Sequence, residues 1–262
     1  MHSERVIARK DGAIGWITLD HQERFNAMSL DMWQALPPLI AQWSQDADIR
    51  VIVLEGAGDK AFVSGADISE FETLRATPED VARYEDDVDA AMAAVAGCDK
   101  PVIAMINGIC MGGGVGLAVS CDMRIASDHA RFAVPAARLG LGYRHSGVRS
   151  LVNLVGAAAA KEIFFTARQL SSDEAAQIGL VNRVVPRDEL RDVTRDYCTM
   201  IAENAPLTIM AVKQTIAEIQ QAPGEFNAAR CDSLVFDCFA SEDYREGRRA
   251  FMEKRKPEFK GK

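Results

Sequence analysis

One segment, Lys100 to Asp122, limits the possible folds more than any other. The apolar run Val102 to Ile106 halts at Asn107-Gly108. Three glycines follow at 112–114, and then an apolar stretch that can turn helically. This pattern predicts a buried strand, a turn, and a helix whose first turn is built of glycine. The leading N–H groups of a helix lack internal partners, and the helix dipole makes that end slightly positive. Glycine lets such amides approach a guest where a Cβ would intrude. The guest they suit is a small anion, or a carbonyl oxygen that gains negative charge during reaction. A second segment, Lys60 to Ile68, ends another apolar strand in the small-residue turn Ser64-Gly65-Ala66. Two separate strand ends can therefore offer free amides to one oxygen. Taken singly, each reads equally well as a tight turn in a packed α/β protein.

Strands and helices alternate around these two segments. Ala13 to Leu19 reads as a strand, with Trp16 and Thr18 on one face and Ile17 and Leu19 on the other. Ser29 can cap a helix carrying Leu30, Trp33, Leu36, Ile40 and Trp43, and Pro37 inside it predicts a bend or two shorter helices. Ile49 to Glu55 is strand-like. A helix beginning near Pro78 carries Val81, Tyr84, Val88, Met92 and Val95. Two short strands, 124–126 and 131–133, precede a loop over 140–147 and a helix over 148–155 that resumes at 157–165. Ser171 with Glu174 forms a capping box, Gly179 stops that helix, and 181–185 is again a strand. Beyond Arg187 the pattern is all helical: 190–203, a helix bearing Ile209, Val212, Ile216 and Ile219, and a third over 226–239. That third helix exposes Leu234, Val235, Phe236 and Phe239, the signature of a subunit contact. The chain thus divides into a core domain, 1–186, and a C-terminal helical region, 187–262, a size that buries one substantial core.

A net charge of −8 argues against a general binder of nucleic acid or acidic membranes, and no run approaches the ~20 apolar residues of a membrane span. The six cysteines lack Cys-x-x-Cys spacing and lie in apolar surroundings, which suits free buried thiols and a cytoplasmic location. The histidines at 2, 21, 129 and 145 have no ligand-like spacing, so no metal site is expected.

Several motifs in order along nearly the whole chain carry a family resemblance: Asn26-Ala27-Met28, Phe62 to Ile68, Asn107 to Gly114, Cys121-Asp122 with Arg124-Ile125-Ala126, Gly179-Leu180-Val181-Asn182, Ser241 to Tyr244, and Phe251 to Arg255. On these the chain resembles the crotonase, or enoyl-CoA hydratase/isomerase, superfamily. The resemblance implies an α/β fold, a crotonase (ClpP-like) spiral of β-β-α units with a C-terminal helical oligomerisation region, and a homotrimer or dimer of trimers. It implies an acyl-CoA thioester as partner, with CoA as part of the substrate and no separate cofactor. The donors to the thioester oxygen become the backbone amides of Ala66 and Gly113, with Gly112, Ser64 and Ile68 beside them. Asp67 matches the family's usual aspartate and reads as a brace for the turn. Asp122 reads as a buried structural anchor. Arg24 matches the basic residue along the nucleotide; Lys254 is a candidate for the phosphates, and Phe251 for the adenine or the acyl pocket, from a neighbouring subunit if not its own.

The resemblance also marks a departure. The two hydratase glutamates correspond to Gly116 and Ala136, and an aspartate that some family members use instead corresponds to Arg144. Positioned acids and bases contribute roughly 10²–10⁴-fold, so ordinary hydration is expected to be inefficient. What stands there instead is Tyr143-Arg144-His145. Tyr143 and the chain's tail resemble the superfamily's methylmalonyl-CoA decarboxylases, which retain an acid where this chain has Gly116. Decarboxylation needs an enolate stabiliser and no base. Arg144 fits a substrate carboxylate or a solvent-facing helix position; His145 fits proton transfer or a surface role; Tyr143 fits a pocket donor or a packed aromatic. A catalytically silent acyl-CoA-binding protein is a further reading. Glu70 reaches the site only if the segment covering the pocket folds back.

Overall fold

The computed structural model describes residues 3–262 apart from 222, 223 and 225. In chain order it forms β1 (Val6–Asp11), β2 (Ile14–Leu19), α1 (Leu30–Gln45), β3 (Val51–Gly56), β4 (Ala61–Val63), α2 (Phe71–Leu74), α3 (Pro78–Ala96) and β5 (Val102–Ile106). Next come β6 (Ile109–Met111), α4 (Gly113–Ser120), β7 (Met123–Ser127), β8 (Arg131–Ala133), α5 (Ala136–Leu139) and α6 (His145–Thr166). β9 (Leu170–Ser171), α7 (Ser172–Gln177) and β10 (Arg183–Val185) lead into four helices: α8 (Leu190–Ala202), α9 (Pro206–Ile219), α10 (Ala228–Ala240) and α11 (Glu242–Glu253).

The strands sort into two sheets. Six lie in the order β1-β2-β3-β5-β7-β10 and four in the order β4-β6-β8-β9. Pairing is parallel except where β1 meets β2 and β8 meets β9. Successive pairs such as β3–β4 and β5–β6 place one strand in each sheet, so the chain switches sheets at a short turn and returns through a helix. Both faces of the large sheet are covered, as its near-continuous apolar strands require. Ile52 and Leu54 join the core beneath α1 and α3, whereas Val51 and Val53 face Leu190 and Cys198 of α8.

Where expectation and structure differ, packing supplies the reason. α1 is one continuous helix through Pro37 and Pro38. Trp33, Leu36, Ile40 and Trp43 are all buried along one stripe, and that burial holds the helix together without the hydrogen bonds that proline removes. Its cap is also not the simple one expected: Ser29 Oγ is turned toward Asp31, and the Leu30 amide donates to Glu70 Oε2 at 2.9 Å. Glu70 is therefore committed to a helix end. α6 begins at His145, three residues earlier than its apolar pattern suggests, and turns at Gly156, whose φ of 78° separates its two halves. The strand β1 and the helix α11 carry charge at half or more of their positions. The capping box at Ser171 and Glu174 forms as expected.

Arg124 is the buried tie between the α4 and α7 layers. It is 2% exposed and donates from Nε to Leu180 O (2.7 Å), from Nη1 to Ala118 O (3.2 Å) and Cys121 O (2.8 Å), and from Nη2 to Asn182 Oδ1 (3.3 Å). Arg124→Met strands these acceptors without donors. It is expected to cost about 3 kcal/mol or more in urea unfolding, since each buried orphan costs ~1–3 kcal/mol.

Candidate active site

The two turns singled out in the sequence meet where β4 and β6 end. Met28 pairs with Ala66 as an isolated parallel bridge: the Met28 amide donates to Gly65 O at 2.8 Å, and the Asp67 amide donates to Met28 O at 2.8 Å. Those bonds come from the residues flanking Ala66, so among the described residues the Ala66 amide donates to no backbone oxygen. On the other side Gly112 is the N-cap of α4, with φ 52° and ψ −118°, a conformation glycine alone adopts readily. Its amide is held by Ala133 O at 2.8 Å, and Gly113 begins the helix with an unpaired amide.

Close approach brings the two amides together. A Cβ built on Gly114 would lie 2.2 Å from Val63 O, so α4 sits directly on the backbone of β4. A Cβ on Gly113 would lie 3.7 Å from the Ala66 nitrogen and 3.2 Å from Trp33 Cζ2. The approach to Ala66 is fixed by Asn26, whose Nδ2 donates to Ala57 O (2.9 Å) and Ala61 O (2.8 Å) while its Oδ1 accepts from the His21 amide (3.0 Å).

Ala66 and Gly113 lie in the wall of a cleft of about 170 Å³ roofed by α2, α3 and the start of α6. Ser64, Ile68, Gly112, Tyr143 and Arg144 line the same cleft. Ser64 Oγ donates to Arg24 O at 3.1 Å, and Ile68 is largely exposed. Asp67 Oδ1 accepts from the Ser69 amide (3.0 Å) and from Ser69 Oγ (2.7 Å); burial opposes its charge, but these bonds outweigh it and hold its carboxyl below the ordinary range. Burial pushes the Tyr143 phenol up to about 12, with the Glu85 charge adding to the effect, so it is a protonated donor at neutral pH; its ring packs edge-on to Phe164 at 5.0 Å. Arg144 Nη1 is bound to Asp86 (2.7 Å) and Asp89 (2.9 Å) of α3, so its charge is already matched. His145 is the first residue of α6 and does not line the cleft. Asp122, only partly covered, accepts from the Val102 amide (2.7 Å) and from Lys213 Nζ (2.8 Å), an anchor nearer the surface than expected.

Three candidates lie outside the cleft lining. Phe251 lines a separate apolar cavity of about 770 Å³ formed by α9, α10 and α11. Lys254, with φ 54°, closes α11 and lines neither cavity. Arg24 ends a short 3-10 turn before Phe25 and lies outside the cleft lining. What the sequence reading missed is the polar content of the roof: Arg75, Glu85 and Asp89 all face the cleft. A signal existed, since Glu85 and Asp89 are i,i+4 neighbours and flank the apolar stripe Tyr84, Val88, Met92. Of the two positions that the resemblance matches to the hydratase glutamates, Ala136 lines the cleft, and a Cβ on Gly116 would lie 2.5 Å from Met92 Cε.

The enoyl-CoA hydratase/isomerase family model matches residues 9–262. The chain belongs to the enoyl-CoA hydratase/isomerase family. It is 35% identical over 258 residues to a short-chain-enoyl-CoA hydratase of Clostridium acetobutylicum, covering 98% of each chain. It is 32% identical over 260 residues to a crotonyl-CoA hydratase of Syntrophomonas wolfei, covering 99% of each. The crystal structure of an enoyl-CoA hydratase/carnithine racemase from Magnetospirillum magneticum superposes with a TM-score of 0.95 at 37% identity, over 100% of this chain and 97% of that one. The crotonase architecture expected from the sequence is therefore present throughout, and with family membership comes acyl-CoA processing. No helix among the described residues is long and apolar enough to cross a membrane.

Because α4 rests on β4 with no room for a side chain, Gly114→Ala must push the two turns apart. Overpacking typically costs ~1–3 kcal/mol. This contact is against backbone and is expected to reach the top of that range or beyond in chemical denaturation, whereas Gly142→Ala, where nothing lies within 4 Å of the added carbon, stays near wild type.

Proposed function

We propose that this family member binds its acyl-CoA with the thioester oxygen between the amides of Ala66 and Gly113, which stabilise the enolate formed during reaction. The observation that carries this reading is the convergence of two backbone amides, unpaired among the described residues, from the turns that end two neighbouring strands of one sheet, at the wall of a cleft with room for an acyl group. Donors already aimed at a developing oxyanion need no reorganisation, and losing one costs roughly 3 kcal/mol of barrier. Gly113→Val fills the gap between them and is expected to lower turnover by at least ~10²-fold in a coupled thioester assay.

The same site supports poor hydration by a paired-glutamate mechanism. Gly116 and Ala136 supply no carboxylate, and Met92 fills the space beside Gly116. Decarboxylation of a carboxyacyl-CoA such as methylmalonyl-CoA is the second reading; the protonated Tyr143 donor in the cleft favours it, because that reaction needs the enolate stabiliser and not the base. Side-by-side incubation with crotonyl-CoA and methylmalonyl-CoA separates the readings. Release of carbon dioxide with slow hydration is expected. Fast hydration with no carbon dioxide would sink the decarboxylase reading, and binding without turnover over a thioester panel would assign a silent acyl-CoA-binding role.

We further propose that the faces of α9, α10 and α11 are covered by other copies of this chain. Phe236 is 71% and Phe251 82% exposed, and Val212, Val235, Phe239 and Met252 extend the same apolar surface around the large cavity. In such an assembly Phe251 and Lys254 reach a neighbour's CoA rather than their own, with Arg24 along the nucleotide of its own subunit. Sedimentation is expected to give a trimer or hexamer, and Phe236→Asp a smaller species.

A further inference from the structure

The lining of the cleft changes character along α3. At one end Met92 rests against α4, its Cε 2.5 Å from where a Cβ on Gly116 would stand. From Met92 the cleft-lining residues of α3 run back through Asp89 and Val88 to Glu85, the spacing of a single helix face. Glu85 therefore lies two helical turns, about 10 Å, from Met92 and from the contact of α3 with α4.

Charge is placed away from Met92. Among the described residues the charged side chains of the lining are Arg75, Glu85, Asp89 and Arg144, and they pair with one another. Arg75, which follows α2, reaches Glu85 with Nη2 at 2.8 Å, and its Cζ is held between the rings of Phe71 and Tyr84, 4.1 and 4.3 Å from their centroids. Arg144, the N-cap of α6, reaches Asp89 at 2.9 Å and Asp86 at 2.7 Å and donates to Ala82 O at 3.1 Å. Ser146 Oγ donates to the second oxygen of Asp89 at 3.1 Å. The two pairs thus tie the ends of α2 and α6 to α3. Both are largely withdrawn from water, the Arg75 and Glu85 side chains being 15% and 26% exposed. Hydrocarbon pressed against such a pair strips its remaining water and supplies no hydrogen bond in return, which is unfavourable.

We propose that the Arg75–Glu85 and Arg144–Asp89 pairs form the far wall of the acyl pocket and limit the length of the acyl group that this chain accepts. This limit rests on the thioester occupying the cleft at Ala66 and Gly113, as proposed above. A short acyl chain buries its carbons against apolar lining such as Met92, Val88 and Phe71, and each added methylene tightens binding. Once the chain extends as far as Glu85, a further methylene must desolvate or separate an ion pair, and the gain stops. An extended octanoyl group is about as long as two turns of helix, so the break falls at or before that length.

Calorimetric titration of the full chain with acetyl-, butyryl-, hexanoyl-, octanoyl- and decanoyl-CoA tests the limit. Affinity is expected to rise about fourfold per methylene over the short members. It then levels off or falls at or before octanoyl-CoA. Two variants move that break: Glu85→Ala, and the double variant Asp89→Ala with Arg144→Ala. Alanine is the strongest helix former, so α3 is retained. Butyryl-CoA binding is expected to stay within a few-fold of wild type in both, while in at least one the rise continues to a longer thioester. A flat series from acetyl-CoA onward, or a rise unbroken through decanoyl-CoA, in the wild-type chain overturns the inference and leaves the thioester site intact. A break at the same length in wild type and both variants overturns it as well. Loss of butyryl-CoA binding in both variants assigns the pairs to holding the cleft together and overturns the length limit. Failure of every thioester to bind the wild-type chain overturns the thioester reading and this one with it.

Discussion

The structure depends on the seating of α4 against β4 at Gly114. β4 and β6 are neighbours in one sheet, and they end in turns that belong to different sequence segments. Only where a helix has no Cβ can its backbone rest on the carbonyl of Val63, and that contact brings the start of α4 up to the Ala66 nitrogen. The rest of the core supports that contact: Asn26 fixes the loop before β4, Trp33 packs against the glycine turn, and Arg124 ties the far end of α4 to the layer beyond it.

The cleft joins two unlike components. Its floor is backbone, whose donors need no particular side chain and are insensitive to most substitutions. Its roof is made of side chains on α2, α3 and α6, where both charge and hydrogen-bonding capacity can change without disturbing the fold. The floor is where we propose that the thioester is polarised. The roof carries Met92 beside Gly116, the Arg75–Glu85 pair with Arg75 between two aromatic rings, and Tyr143. In this architecture residues of the roof can change while the contact of α4 on β4 stays in place.

Much of the core was legible from the chain. A run such as Val102 to Ile106 has few alternatives to a buried strand, and Ser171 with Glu174 caps a helix by local hydrogen bonds alone. Elements whose stability comes from distant partners were not. β1 has mostly exposed side chains and is held by its ladder to β2. α1 survives two prolines because its buried stripe compensates for bonds it cannot make. The roles of Arg144 and Glu70 were equally hidden: each is a charged residue in a polar stretch, and only the fold brings Asp86 and Asp89 to one and the Leu30 amide to the other.

The sequence by itself determined the family, the alternation of strands and helices, the two glycine-bearing turns, and the absence of carboxylates at 116 and 136, because each is written in residue identity and local order. Tertiary structure decided which amides are free among the described residues and which charges are already paired. Those properties depend on through-space neighbours separated by tens of residues, and no local pattern encodes whether a hydrogen bond will be completed by the protein or left for what it binds.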